Sequence, residues 1–203
     1  MYFKKIFTKN SVIVDCGAHV GADSVELSKI FPKGQVHSFE PIPSIFKRLH
    51  NNSKKRSNIY CYELALSNRN GVAEMFVSSG SSDASSSLLA PTGHLKDHPD
   101  VYFENSIEVK TQTLDTWAAK NNIEKVDFLW LDMQGFELPM LQASNKILST
   151  VKAIHTEVST RETYSNSVLY NDFRKWLESI GFKVIAEAIP AGTDMGNALF
   201  LRR

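Results

Sequence analysis

Four acids in this chain fall where a predicted strand runs out. Asp15 follows Val12, Ile13 and Val14, Glu40 follows QVHSF, Asp132 follows VDFLWL, and Glu157 lies near the end of KAIHTEV. Carboxyls at the carboxyl ends of neighbouring strands can bind ribose hydroxyls, take a proton or ligate a cation. Glu40, about twenty residues beyond a glycine turn, is the acid expected to accept both hydroxyls of a ribose. Asp132 is the best-placed acid of the set. It can accept a proton from a substrate hydroxyl, orient that hydroxyl or a cationic group, or ligate a divalent cation together with Glu157. Asp15 can equally cap the turn that follows it, and Glu40 can be a solvated strand-end acid.

Gly17 and Gly21 bracket that turn. Glycine there lets backbone N–H groups approach a ligand at a helix N-terminus. A pyrophosphate would want a further glycine where His19 stands, so the turn favours a smaller or uncharged group. Glu137 is a weaker catalytic candidate than Asp132, because an acid in the first turn of a helix is favoured by the helix dipole in any case. His155 and Glu157 are two apart on one predicted strand and share a face. His155 can be a core histidine, and no close third ligand accompanies the pair for a metal.

The elements that must hold these residues alternate. Predicted strands end at Asp15, Glu40 and Leu66, with helices over Ser24 to Phe31 and Pro43 to Asn52 between them. Such alternation gives a parallel sheet with helices on both faces. From Gly71 to about Thr113 the pattern changes. Val72 to Ser78 and Ile107 to Thr113 read as a β-ribbon, and the Ser-rich stretch between them reads as a mobile loop and candidate substrate lid. A nearly all-apolar strand from Val126 to Leu131 is central. A helix from Val168 to Ile180 ends at Gly181, and two closing strands, Phe182 to Ile189 and Ala198 to Arg202, are joined by a link short enough only for an antiparallel hairpin. Asn197, at the start of the last strand, can reach the site or simply make the turn.

The motifs VDCGAHVG and SFEP resemble the nucleoside-binding half of a class I S-adenosylmethionine-dependent methyltransferase. LDTW, FLWLDMQGFELPMLQAS and HTEVS resemble the FkbM family within that class. The likeness spans roughly residues 10 to 201, and its specificity lies in the ordered set of motifs. It implies a Rossmann-like α/β fold with a seven-stranded sheet in the order 3-2-1-4-5-7-6, the last strand antiparallel. It implies S-adenosyl-L-methionine as cofactor, held by Asp15, Gly17, His19, Gly21, Glu40, Pro41 and Asp132. Ala65 and Leu66 would wall the adenine and Ser67 would bond it. His19 stands where related sequences often carry a small or amide residue, and Gln134 where many carry glutamate, which weakens a metal cluster around Asp132. The implied reaction is O-methylation of a hydroxyl on a sugar, glycolipid or secondary metabolite, with Asp132 and Glu157 as catalytic residues and no metal.

Composition agrees with a single methyltransferase domain over residues 1–203, carrying an insertion at about 71–113. The chain has 203 residues, 42% of them hydrophobic, which is enough for one α/β core. A net charge of +1 gives no electrostatic case for nucleic acid. Two cysteines, both in predicted buried strands, point to a reducing, cytoplasmic compartment. No apolar run reaches a membrane span, and MYFKKIF is too short in its apolar part for a signal peptide. The sequence does not fix the oligomeric state. Two other readings stand beside the methyltransferase: a nicotinamide-dependent oxidoreductase on the same kind of sheet, and a non-catalytic methyltransferase-like binding module.

Overall fold

The computed structural model describes residues 6–203. Most of the MYFKKIF start falls outside them. Seven strands form the main sheet: β1 (Val12–Cys16), β2 (Gln35–Phe39), β3 (Ile59–Tyr62), β7 (Phe128–Leu131), β8 (Ala153–Ser159), β9 (Phe182–Ala188) and β10 (Met195–Arg202). Their order is β3-β2-β1-β7-β8-β10-β9. Numbered within this sheet alone, that is the expected 3-2-1-4-5-7-6. The pairs β3/β2, β2/β1, β1/β7 and β7/β8 are parallel, while β10 runs antiparallel to both β8 and β9.

Two apolar layers sandwich the sheet. On one face α1 (Ala22–Ile30) packs Leu27 against Ile13, Val36 and Phe128, with Phe7 and Phe31 closing the edge. On the other face lie α4 (Leu114–Lys120), α5 (Glu137–Gln142), α6 (Asn145–Leu148) and α7 (Tyr170–Ser179). They bury Trp117, Met140, Leu141, Phe173 and Leu177 against Val14, Leu129, Ile154 and Phe200. Full burial of each of these side chains stabilises by roughly 1.5–3 kcal/mol relative to exposure. α7 is shorter than its apolar stripe suggested. Leu169 has extended backbone and is 39% exposed, so the helix begins at Tyr170, and Gly181 (φ +94°) ends the turn behind it.

A second, three-stranded sheet carries the largest departure from expectation. The predicted strand Ile59 to Leu66 breaks after Tyr62, and its last two residues, β4 (Ala65–Leu66), leave the main sheet. There they pair in parallel with β6 (Val101–Gln112), which runs antiparallel to β5 (Gly71–Gly80). β6 begins well ahead of the predicted Ile107, while β5 runs only just past the predicted Ser78. The alternation in YFENSIEVK leaves one ribbon face polar, so its strand character is masked in sequence by turn-like composition. A third core of Ile42, Ile45, Ala65, Met75 and Val109 joins this sheet to α2 (Pro43–Ser53).

The stretch between β5 and β6 is folded back on the main body. Its Ser87 bridges Phe76 and its Pro91 bridges Tyr164, ahead of a single turn, α3 (His94–Asp97). No helix among the described residues is long and apolar enough to cross a membrane.

Candidate active site

Strand order reverses between β1 and β7, and the crevice opens at their carboxyl ends. The two tips are stitched together. The Asp132 amide donates to the Cys16 carbonyl at 3.0 Å, and the Gly17 and Ala18 amides donate to the Phe39 carbonyl at 3.1 and 2.9 Å. Above this seam lies a cleft of about 580 Å³, its open mouth included. Gly17, His19, Glu40, Pro41, Ala65, Leu66 and Asp132 all line it, together with Met133, Gln134, Phe136 and Leu88. Seven of the ten residues expected to hold a cofactor therefore meet in one place.

Three do not. Asp15 is buried under the turn, where its carboxylate accepts a 2.5 Å bond from Ser24 at the start of α1. Gly21 (φ +87°) faces α2, and a Cβ there would come within 2.6 Å of Leu49 Cδ1. Ser67 points at Asn68 and lies outside the cleft. The two turn glycines thus answer to chain packing first. A Cβ on Gly17 would stand 1.8 Å from the Asp132 carbonyl, so glycine is what lets β1 and β7 converge.

Glu40 is the built feature of the cleft. It is 5% exposed, its Oε1 accepts the Ile42 amide at 2.8 Å, and the His19 amide also faces it. Burial pushes its pKa up to about 7 despite these donors. At the rim, the Asp83 carboxylate from the folded-back segment pairs with His19 at 2.8 Å and with Arg48. A buried carboxyl and apolar walls at Ala65, Leu66 and Ile45 suit a nucleoside-bearing cofactor, whose ribose and base need a polar acceptor beside an apolar surface.

Asp132 and Glu157 do not share a cavity. Glu157 lines a second, smaller one that is open to solvent, with Ser159, Thr163, Ser167, Tyr164, Tyr170 and Met195 among its walls. Gln134 stands between the two acids. Its Nε2 donates to Asp132 Oδ1 at 2.7 Å and to Glu157 Oε2 at 2.9 Å. Both acids are held above the ordinary carboxylate range, mainly by burial, and Glu157 is raised further by the charges of Asp132 and Glu137. Glu137 serves the backbone: it accepts the amides of Met133 at 2.8 Å and Gly135 at 3.4 Å and so fixes the loop after β7.

Sequence reasoning met Gln134 only as a missing acid. The signal it offered was position, two residues past the strand-end aspartate and just before a glycine, where left-handed backbone is common; its φ is +52°. Tyr164, whose hydroxyl lies 2.9 Å from Gln134 Oε1, gave none, because the two are thirty residues apart. His155 is half-buried, stacked on Trp130 with ring centroids 3.7 Å apart, and burial lowers its pKa. Asn197 pairs with Glu157 across the β8/β10 ladder and is exposed. No group of three or more metal-ligating side chains occurs among the described residues.

Comparison with known proteins gives the same picture. The sequence profile of the methyltransferase FkbM domain matches residues 15–184. The 2-O-methyltransferase NoeI of Sinorhizobium fredii is 31% identical over 188 residues, 90% of this chain and 76% of that protein. The hexuronic acid methyltransferase AglP of Haloferax volcanii is 27% identical over 150 residues, 74% of this chain and 56% of that protein. The crystal structure of methyltransferase FkbM from Methylobacillus flagellatus superposes with a TM-score of 0.62 at 15% identity, covering 96% of this chain and 44% of that one.

Proposed function

The chain belongs to the FkbM methyltransferase family, and from that premise we propose that it methylates a hydroxyl of a sugar, glycolipid or secondary metabolite, with S-adenosylmethionine as methyl donor. The observation that carries this reading is the cleft at the β1/β7 crossing, lined by both the buried Glu40 and Asp132. Glu40 holds the cofactor ribose, Ala65 and Leu66 wall the adenine, and Gly17, His19 and Pro41 complete the cradle. Asp15, Gly21 and Ser67 support it from behind. S-adenosylmethionine supplies a methyl carbon already activated by its sulfonium, so the protein has mainly to align the nucleophile and carry off one proton.

Asp132 is the carboxyl on the cofactor side, suited to offset the positive charge there. Glu157 is the general base. The acceptor oxygen bonds to the methyl carbon, the carbon–sulfur bond breaks with its electron pair passing to sulfur, and the hydroxyl proton moves to Glu157. A carboxylate with raised proton affinity suits that role. The O-directed reaction is supported by the name of the 2-O-methyltransferase NoeI. The second sheet and its folded-back segment are an insertion into one methyltransferase domain, the net charge of +1 favours no nucleic-acid partner, and the free cysteines Cys16 and Cys61 suit a reducing cytoplasm.

The test is calorimetric titration with S-adenosylmethionine, S-adenosylhomocysteine and NAD. The first two bind the wild type and NAD does not. Glu40→Ala weakens both by about 10- to 100-fold, the worth of hydrogen bonds to a charged group. Binding of NAD alone would instead support an oxidoreductase. Loss of methyl transfer in Glu157→Gln, with cofactor binding retained, separates the enzyme from a binding module that merely keeps the nucleoside.

A further inference from the structure

Gln134 is the one residue common to the walls of both cavities. It fills the passage between them with a primary amide whose two N–H groups are both spent, one on each carboxyl. Those are the oxygens an incoming hydroxyl would seek. We propose that the second cavity receives the acceptor, a neutral polyhydroxylated ring, and that the Gln134 side chain is a displaceable partition which the reacting hydroxyl replaces at Glu157. This deepens the methyltransferase reading above and rests on it.

Three features make the side chain able to leave while its backbone stays. The Gln134 carbonyl is anchored by the Ser87 hydroxyl at 2.8 Å, so the loop does not depend on the amide for its position. The Tyr164 hydroxyl has one proton and two acceptors in range, Gln134 Oε1 at 2.9 Å and the Ser85 carbonyl at 2.7 Å. When the amide swings away, that proton passes wholly to Ser85, so the Tyr164 hydroxyl keeps a partner. The φ of +52° is a conformation that non-glycine residues hold at a cost, as functional sites often do.

The lining sets the ligand class. Glu157, Ser159, Thr163, Tyr164 and Tyr170 offer polar contacts, and the Ser167 hydroxyl is buried there without a partner among the described residues. Phe173 supplies an apolar wall. No lysine or arginine lines the cavity among the described residues, while Glu137 and Glu157 do, which disfavours an acidic ring. A hydroxyl that donates to Glu157 in place of the amide also leaves Asp132 free to face the cofactor.

Ligand-observed NMR with methyl α-D-glucoside, methyl α-D-galactoside and methyl α-D-glucuronide, with and without S-adenosylhomocysteine, tests this. The expected result is binding of at least one neutral glycoside, the glucuronide weaker by at least about threefold. Gln134→Ala should tighten the neutral probe at least about threefold, because the amide no longer competes, whereas Met195→Trp and, separately, Ser167→Leu, which fill the cavity, should abolish its binding. S-adenosylhomocysteine affinity should stay within about twofold in the two filling variants. Absence of neutral-glycoside binding, tighter binding of the glucuronide, probe binding untouched by both filling variants, or no gain in Gln134→Ala would each overturn the proposal. Failure of the wild type to bind S-adenosylhomocysteine would instead sink the cofactor reading, and the glycoside measurements made without it would still decide the acceptor cavity.

Discussion

Glu40 shows how a functional residue can work against the fold that carries it. Its folded pKa of about 7 exceeds its ordinary 4.5, so the native state binds this proton more tightly than the unfolded chain does. The stability this lends is fully present below about pH 4.5 and is lost as pH rises through about 7. Glu40→Gln keeps an acceptor for the Ile42 amide but carries no charge. In chemical denaturation of the ligand-free protein it should therefore gain on the wild type as pH rises from 5 to 8. An unchanged difference between the two proteins across that range would show that Glu40 is ionised throughout. The same substitution should remove a rise in cofactor affinity that the wild type shows as pH climbs through about 7, because ribose hydroxyls donate best to the carboxylate form.

At the scale of elements, the end of β10 is a clamp. Arg202 donates from Nε to the Val151 carbonyl at 2.7 Å and from Nη1 to Ile180 at 3.2 Å, reaches the Leu148 carbonyl through Nη2, and lies 4.2 Å over the Phe182 ring. One side chain thus caps α6, the end of α7 and the start of β9. These are carbonyls at helix ends and in a loop, which the backbone itself leaves open. Arg202→Ala should lower stability by about 2–4 kcal/mol, from lost charge-assisted bonds and stacking. Thermal unfolding measures this, and a loss under about 0.5 kcal/mol would mean that water replaces the guanidinium without penalty. Cofactor affinity should not change, since the clamp lies at the sheet edge opposite the ligand-binding strand tips.

Across the whole molecule, the cleft is assembled from chain segments as far apart as Gly17, Glu40, Leu66 and Asp132. A ligand seated there binds only the folded state. At a concentration of one hundred times its Kd, S-adenosylhomocysteine should stabilise the protein by about 2.7 kcal/mol. For a chain of this size that raises Tm by roughly 5–10 °C, readable by scanning calorimetry. Glu40→Ala should lose most of that shift at the same ligand concentration. A full shift in that variant would place the ligand elsewhere on the molecule.

The sequence by itself determined the strands of the main sheet and its parallel character, while the order of those strands came from the resemblance of its motifs to a known family. Strand-end acids, turn glycines and alternating apolar periods are local signals, and parallel crossovers admit few topologies. It also brought seven cleft residues into view, because each marks the end of a strand. Tertiary structure alone decided the rest. That β4 leaves the sheet, that Gly17 and Gly21 make room for Asp132 and Leu49, and that Glu157 lies beyond Gln134 in a cavity of its own all depend on which distant atoms come within bonding distance. Gln134 and Tyr164 become partners only when β7 and the chain after β8 lie side by side, and no pattern along the chain encodes a contact between groups that meet only in the fold.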